Sequence, residues 1–193
     1  NHVTIVANVF WDMNARNGSH YDPNSAATFN FYGHFADGEV YFNTIVAGEE
    51  WIEQDFDRSD ARCNAILGAR ADSFAPNGSE IANNAYYATA SFSTAGGAGD
   101  VVGATVEEAR MGEFCFWRKL LTAPERVCIP NVVPSADSPH VDACNPSIGS
   151  RPGVGVDDAT GPWVDLLGHV RDGRPDMGAL EFVPTPDAGP DTS

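Results

Sequence analysis

Cys63-Asn64-Ala65-Ile66-Leu67 is the clearest copy of a pattern that governs the reading of this chain, a single Asn set among apolar or aromatic residues. Upstream the pattern occurs as Val6-Ala7-Asn8-Val9-Phe10 and Tyr41-Phe42-Asn43-Thr44-Ile45-Val46, and downstream as Ala82-Asn83-Asn84-Ala85-Tyr86-Tyr87. Asn8, Asn43, Asn64 and Asn84 are separated by 35, 21 and 20 residues. A period of roughly 20–25 residues suits stacked repeats, each too small to bury its apolar face alone. The spacing predicts coils of a parallel β-helix, with the first interval carrying a loop insertion. In such a coil, strand residues alternate inward and outward, so apolar side chains stack into a continuous core. Asn is expected at the sharp bend between strands, where it tolerates left-handed backbone geometry. Stacked Asn side chains also hydrogen-bond along the axis. Ordinary Asn-containing turns of a β-sandwich are the competing reading.

Working outward, the insertion after the first copy is Asp12–Ser25, rich in Asn, Gly, His, Asp and Pro, and a second loop, Glu49–Asp60, is acidic. Ser93–Gly103 is Gly/Ala-rich and reads as irregular. Residues 105–121 are the best helix candidate, because Thr105 with Glu108 has the capping-box spacing. Val183–Ser193 holds little besides Pro, Asp, Gly and Thr and reads as a linker, so the expected organisation is one β domain over 1–182 and a linker over 183–193. Asn1 is followed at once by the strand-like His2–Val6. We therefore expect an N-terminal region with a secretion signal upstream, and an anchor beyond the linker.

Gly and Pro number 19 and 13 and are spread along the chain, which is the punctuation of a turn-rich β protein. The net charge is −16, and Lys119 is the only lysine. Nucleic acids and anionic membranes are unsuitable partners for a chain with no basic cluster. No apolar run is long enough to span a bilayer. The acidity serves solubility or divalent-cation binding. The four cysteines lack zinc spacing. In a secreted protein they imply up to two disulfides: Cys115–Cys128 closes a short loop, leaving Cys63–Cys144 as the long-range pair. Four free buried thiols are the alternative.

Two later segments carry a resemblance. They are Ala136-Asp137-Ser138-Pro139-His140-Val141-Asp142-Ala143 and Asp165-Leu166-Leu167-Gly168-His169-Val170-Arg171-Asp172-Gly173-Arg174-Pro175-Asp176-Met177-Gly178-Ala179-Leu180-Glu181-Phe182. Together they resemble the closing coils of bacterial right-handed parallel β-helix proteins of the pectin-lyase-like superfamily, in particular the choice-of-anchor Q type. There a Ser-Pro-x-x-Asp-Ala segment precedes Asp-x-x-Gly-x-x-Arg and Pro-Asp-x-Gly-Ala-x-Glu. Cys144 departs from the pattern, where Gly is more usual. The resemblance implies the C-terminal coils and cap of an all-β, right-handed β-helix on a secreted or surface protein. It covers about 45 residues and implies no single activity, since fold does not fix function. The same residues suggest a cap: Asp142, Asp165, Asp176 and Glu181, with Arg171 and Arg174, can form a charge lattice, and Gly178 allows close backbone packing.

Candidate chemistry is sparse. Asp55, Asp57 and Asp60 have an alternating acidic spacing suited to Ca²⁺, though without the Gly and final Glu of an EF-hand. Trp11, His20, Tyr21 and Trp51, with Tyr32, are the candidates for a glycan groove, because sugars stack their C–H faces on rings. Arg118 and Lys119 are the only adjacent basic pair, but fall in the expected helix, away from the strands a lyase would use. No nucleophile elbow or phosphate-binding loop occurs. The expected function is an extracellular, monomeric module that interacts with polysaccharide at a cell surface. The alternatives are the C-terminal part of a polysaccharide lyase or other carbohydrate-active enzyme, and a structural adhesin stalk.

Overall fold

The computed structural model describes residues 2–11, 27–30, 37–46, 50–53, 59–68, 80–89, 96–119, 123–145, 156–157, 161–162, 164–171 and 174–184. The chain first builds strand pairs separated by the Asn bend: β1 (His2–Val6) and β2 (Val9–Trp11), then, after β3 (Ala27–Asn30), β4 (Asp37–Tyr41) and β5 (Thr44–Val46). After β6 (Glu50–Glu53) come β7 (Ser59–Arg62) with β8 (Ala65–Leu67), and β9 (Glu80–Ile81) with β10 (Ala85–Tyr87); β11 (Val101–Gly103) closes the series. Strands preceding the bend form one parallel sheet, β1-β4-β7-β9, and strands following it form another, β11-β10-β8-β5-β2. β3 and β6 make a further parallel pair.

The mostly β character expected from the sequence is present, but the expected right-handed β-helix is not. The parallel strands lie in separate flat sheets, each hydrogen-bonded within itself, instead of closing into a helical coil. A 20-residue spacing sets which strands pair in parallel; it does not dictate how successive sheets close, and that is where the expectation failed.

The central strands of the second sheet, β5, β8 and β10, are buried on both faces, which explains why they are short apolar runs without polar alternation. Ile45, Ile66 and Tyr86, at the middle of their strands, pack with Val40 and Ala61 of the first sheet. Their neighbours Val46, Ala65, Leu67, Ala85 and Tyr87 face the other way, toward Ala109, Ile129, Val132, Cys144, Met177 and Leu180. The period of two in a strand divides one apolar run between two cores.

The expected helix over 105–121 is replaced by a 3-10 turn at Val106–Ala109 and an antiparallel hairpin, β12 (Met111–Lys119) with β13 (Pro124–Pro134). Thr105 makes no side-chain cap bond, and Arg110 takes a left-handed conformation (φ 51°) that ends the turn. Beyond it, Phe114, Cys115, Phe116 and Trp117 favour the pleated state, and tertiary pairing overrides the local capping signal. Cys115 and Cys128 sit directly opposite each other and form one disulfide; Cys63 and Cys144 form the other, across 81 residues. Two disulfides are consistent with an oxidising compartment. β14 (Val156–Asp157) and β15 (Gly161–Pro162) pair as a small antiparallel ribbon. Most of the expected linker, from residue 185 on, lies outside the described residues; Val183 and Pro184 are exposed.

Candidate functional site

The Asn repeat forms a continuous ladder. The backbone N–H groups of Asn8, Asn43 and Asn64 each donate to the Oδ1 of the next Asn in the series, at 3.0, 2.9 and 3.0 Å. Each side-chain Nδ2 donates to that same oxygen at 3.2, 3.0 and 2.9 Å. The series ends on Asp100, whose carboxylate accepts the Asn84 N–H at 2.8 Å. The segment read as irregular therefore supplies a fifth rung. Asp followed by Val101-Val102 was the available signal. The left-handed residues are the ones before the rungs: Ala7, Phe42, Cys63 and Asn83 have φ of 54–59°, and Gly99 has φ 75°. The rung residues are held by side-chain bonding, not by tolerance of that geometry.

Against this regular frame, residues 135–145 and 164–182 lay a cover over the second sheet. Gly178 donates its N–H to Cys63 O at 2.8 Å, and Ala179 donates to Thr44 Oγ1 at 2.8 Å. Gly178 has φ +105°, and a Cβ there would meet Thr44 Oγ1 at 2.7 Å, so this crossing requires glycine. Cys144 donates to Pro175 O and is tied to Cys63, fastening the cover at a second point.

The charge lattice expected for this segment is present, with four charged side chains at its centre. Buried Arg171 donates to the carbonyls of Asp176 and Gly178 and to the Glu181 carboxylate, and its guanidinium lies 4.2 Å over the Phe42 ring. The Asp176 carboxylate accepts the N–H groups of Asp142 and Phe182. Asp165 accepts the N–H groups of Leu167, His169 and Glu181, and faces the His169 Nδ1 at 2.9 Å. Asp142 contributes its backbone N–H, and Arg174 remains exposed.

The electrostatics follow from burial. Desolvation pushes the Glu181 carboxyl up to about 7, against the opposing pull of Arg171. Desolvation also raises Asp176, although it accepts two backbone N–H bonds. For Asp165 desolvation acts upward too, but the donors from Glu181, His169 and Leu167 outweigh it and hold the carboxyl below its usual range.

Beside this lattice opens a cleft of about 400 Å³. Asp142, His169, Arg174, Asp176 and Glu181 supply its polar lining, and Val141, Val170, Phe182, Val183 and Pro184 its apolar lining. Because Asp165 engages His169 at Nδ1, Nε2 is the ring nitrogen left to a ligand. Fixed acceptors, one imidazole and one exposed guanidinium thus share a concave surface with apolar walls, the general composition of a small-ligand site. From the sequence, Asp142, Asp176, Glu181 and Arg174 are expected only in a structural charge lattice and His169 has no role in it; only the fold shows that they border one cavity.

The described lining of this cleft includes none of the residues singled out beforehand as ligand or metal candidates. Trp11 ends β2 and is exposed, at 42%. Trp51 lies in β6, while His20, Tyr21 and Tyr32 lie outside the described residues. Asp60 is buried in β7, 2.8 Å from the Tyr41 hydroxyl and 2.6 Å from Arg62 Nε; Asp55 and Asp57 fall outside the described residues. Glu113 lies close to Cys115 and Cys128, but both sulfurs are consumed by their disulfide and offer no thiolate to a metal. Among the described residues, no helix is long and apolar enough to cross a membrane.

No family model, curated protein or solved structure matches this chain. The pectin-lyase-like resemblance therefore rests on the residues 136–182 quoted above.

Proposed function

We propose that this chain is an extracellular module of a surface or secreted protein that binds polysaccharide, and that it does so as a monomer. The cleft carries the reading. Its carboxylates, imidazole and guanidinium suit sugar hydroxyls, and Val170, Phe182 and Pro184 suit the C–H faces of a pyranose. The two disulfides agree with an extracellular setting. Calorimetric titration with neutral and acidic polysaccharides tests the proposal. At least one polymer is expected to bind, and Arg174→Ala and His169→Ala should each weaken it tenfold or more. Absence of binding to every polymer would leave the structural-stalk alternative in its place.

One observation favours a second reading, in which the cleft acts on its ligand. His169 is oriented by the buried Asp165, and the neighbouring Glu181 titrates near 7, the range useful to a general acid or base. Release of unsaturated uronides, followed by ultraviolet absorbance, or of reducing ends would establish it. Neither signal on any polymer that binds would reject it.

A further inference from the structure

Outside the cleft, the hairpin β12–β13 presents the most exposed aromatic side chain among the described residues, Trp117 at 69%. The register places Cys115 opposite Cys128, Trp117 opposite Arg126 and Lys119 opposite Pro124. Alternation along the strands puts these three pairs on one face of the hairpin. The intervening pairs, Phe114 with Ile129, Phe116 with Val127 and Arg118 with Glu125, belong to the other face. That second face turns Ile129 and Phe114 into the core, and its exposed Arg118 is neutralised by Glu125 at 2.6 Å. On the Trp117 face, neither Arg126 nor Lys119 has an ion-pair partner among the described residues. A chain of net charge −16 thus places two cations, with no ion-pair partner among the described residues, beside an exposed indole on a ribbon stapled by a disulfide; the one acidic group described on this face, Glu113, sits beyond the disulfide, next to Cys115 and Cys128.

We infer that the Trp117 face of this hairpin is a docking site for an acidic polysaccharide. The indole offers a flat apolar platform for the C–H face of a pyranose, and Arg126 and Lys119 flank it with charge for the carboxylates of successive uronate residues. Charge complementarity selects the occupant. Solvated cations without a partner hold no internal role, and a neutral glycan would leave them unused. The Cys115–Cys128 bond keeps the platform rigid, so little ordering entropy is lost on binding. The inference rests on the polysaccharide-binding reading and adds to it the class of polymer and a second contact surface.

The experiment is a titration of the whole chain with polygalacturonate, neutral galactan and duplex DNA at two salt concentrations, using the hairpin variants Trp117→Ala and Arg126→Ala and the cleft variant Arg174→Ala. Trp117→Ala and Arg126→Ala should each weaken polygalacturonate binding at least tenfold while leaving galactan binding unchanged. Parent binding of polygalacturonate should weaken as salt rises. Trp117→Phe should recover part of the loss, which separates stacking from simple misfolding. If both hairpin variants bind polygalacturonate like the parent, the inference is overturned. It is equally overturned if duplex DNA binds as tightly as polygalacturonate, since the face would then be an unselective anion patch. Loss of binding in Arg174→Ala alone would support the cleft and reject the hairpin. Loss in the hairpin variants alone would do the reverse, so the two readings fail separately.

Discussion

Between Asn8 and Asp100 the chain repeats one bonding pattern, whereas between Ser135 and Phe182 it scarcely makes the same bond twice. The ladder of the first region runs on neutral amide bonds from rung to rung until it ends on the Asp100 carboxylate, with one buried ion pair, Asp60 with Arg62, beside it in β7. The second holds itself with buried charge: one guanidinium, three carboxylates and the backbone groups they engage. Both bury polar groups, and in both every such group needs its partner. They differ in what the loss of one member does. A missing rung leaves neutral dipoles unpaired, while a missing ion leaves an uncompensated charge, which is more costly. The comparison teaches that the neutral rungs of the Asn ladder are tolerant bonds and that buried charges, which dominate the irregular cover, are the vulnerable ones.

The sharpest way to break that contrast is Arg171→Met. It strands Glu181 and frees the carbonyls of Asp176 and Gly178, and we expect a loss of roughly 3–5 kcal/mol in denaturant-monitored unfolding. A loss below that of any rung variant would reverse the ranking of the two regions. Next is the link between them. Replacing Cys63 and Cys144 together by Ala removes a bond closing 81 residues, expected to lower stability by about 4 kcal/mol on loop-closure grounds. Hydrogen exchange should then show residues 164–182 opening before the sheets do. If both open together, the disulfide is not what joins them.

Within the ladder, position sets the size of the effect. Asn64 is fully buried and bonded to Asn43, Asn84, Val40 and Arg62, and Asn64→Ala should destabilise by roughly 2–3 kcal/mol. Asn8 is half-buried at the end of the series, and Asn8→Ala should cost about 1 kcal/mol. Equal losses at the two positions would mean that the rungs act as one unit and not in sequence.

The pH dependence gives a finer test of the cover. Glu181 has a folded pKa of about 7, above its ordinary 4.5. The folded state therefore holds a proton that the unfolded chain has released, and this contribution is full below about 4.5 and lost as pH rises through 7. His140 has the opposite sign. It is buried, stacked on Tyr87 at 5.1 Å, and neither ring nitrogen has a hydrogen-bond partner among the described residues. Desolvation lowers it to about 4 from 6.5, so its contribution is full above 6.5 and lost as pH falls through 4. The two oppose each other between about 4.5 and 6.5. In Glu181→Gln the stability difference from the parent should shift in the variant's favour as pH rises across 4.5–7, by up to about 1.4 kcal/mol per pH unit. A difference that stays constant with pH would show that Glu181 is ionised throughout, with Arg171 outweighing burial.

The repeat itself was legible in the residues. The Asn spacing marks units that pair in parallel, and the apolar residues around each Asn do form the buried strands. The lattice of Asp165, Arg171, Asp176 and Glu181 was also legible, because opposite charges at a chain's closing segment have few other uses. Less was legible where a local signal had two outcomes. Thr105 and Glu108 satisfy a helix-start pattern, but the aromatic run that follows gains more by pairing with β13 than a helix would gain from one cap. Asp100 was hard to read because its only signal was an Asp before Val101-Val102, and its 16-residue distance from Asn84 breaks the spacing of 21 and 20 between the preceding rungs.

By itself, then, the sequence determined the β character, the repeating Asn rungs and the charges that close it, since each depends on residue type and spacing along the chain, while it favoured one pairing of the cysteines without excluding free thiols. Only the tertiary structure decided that the strands form separate sheets and that the central strands of the second sheet are covered on both faces. It also decided that His169, Arg174 and Glu181 border one cleft, and that Trp117 shares a hairpin face with Arg126 and Lys119. Those outcomes depend on how faces far apart in sequence divide the same apolar surface, and chain spacing does not encode that division.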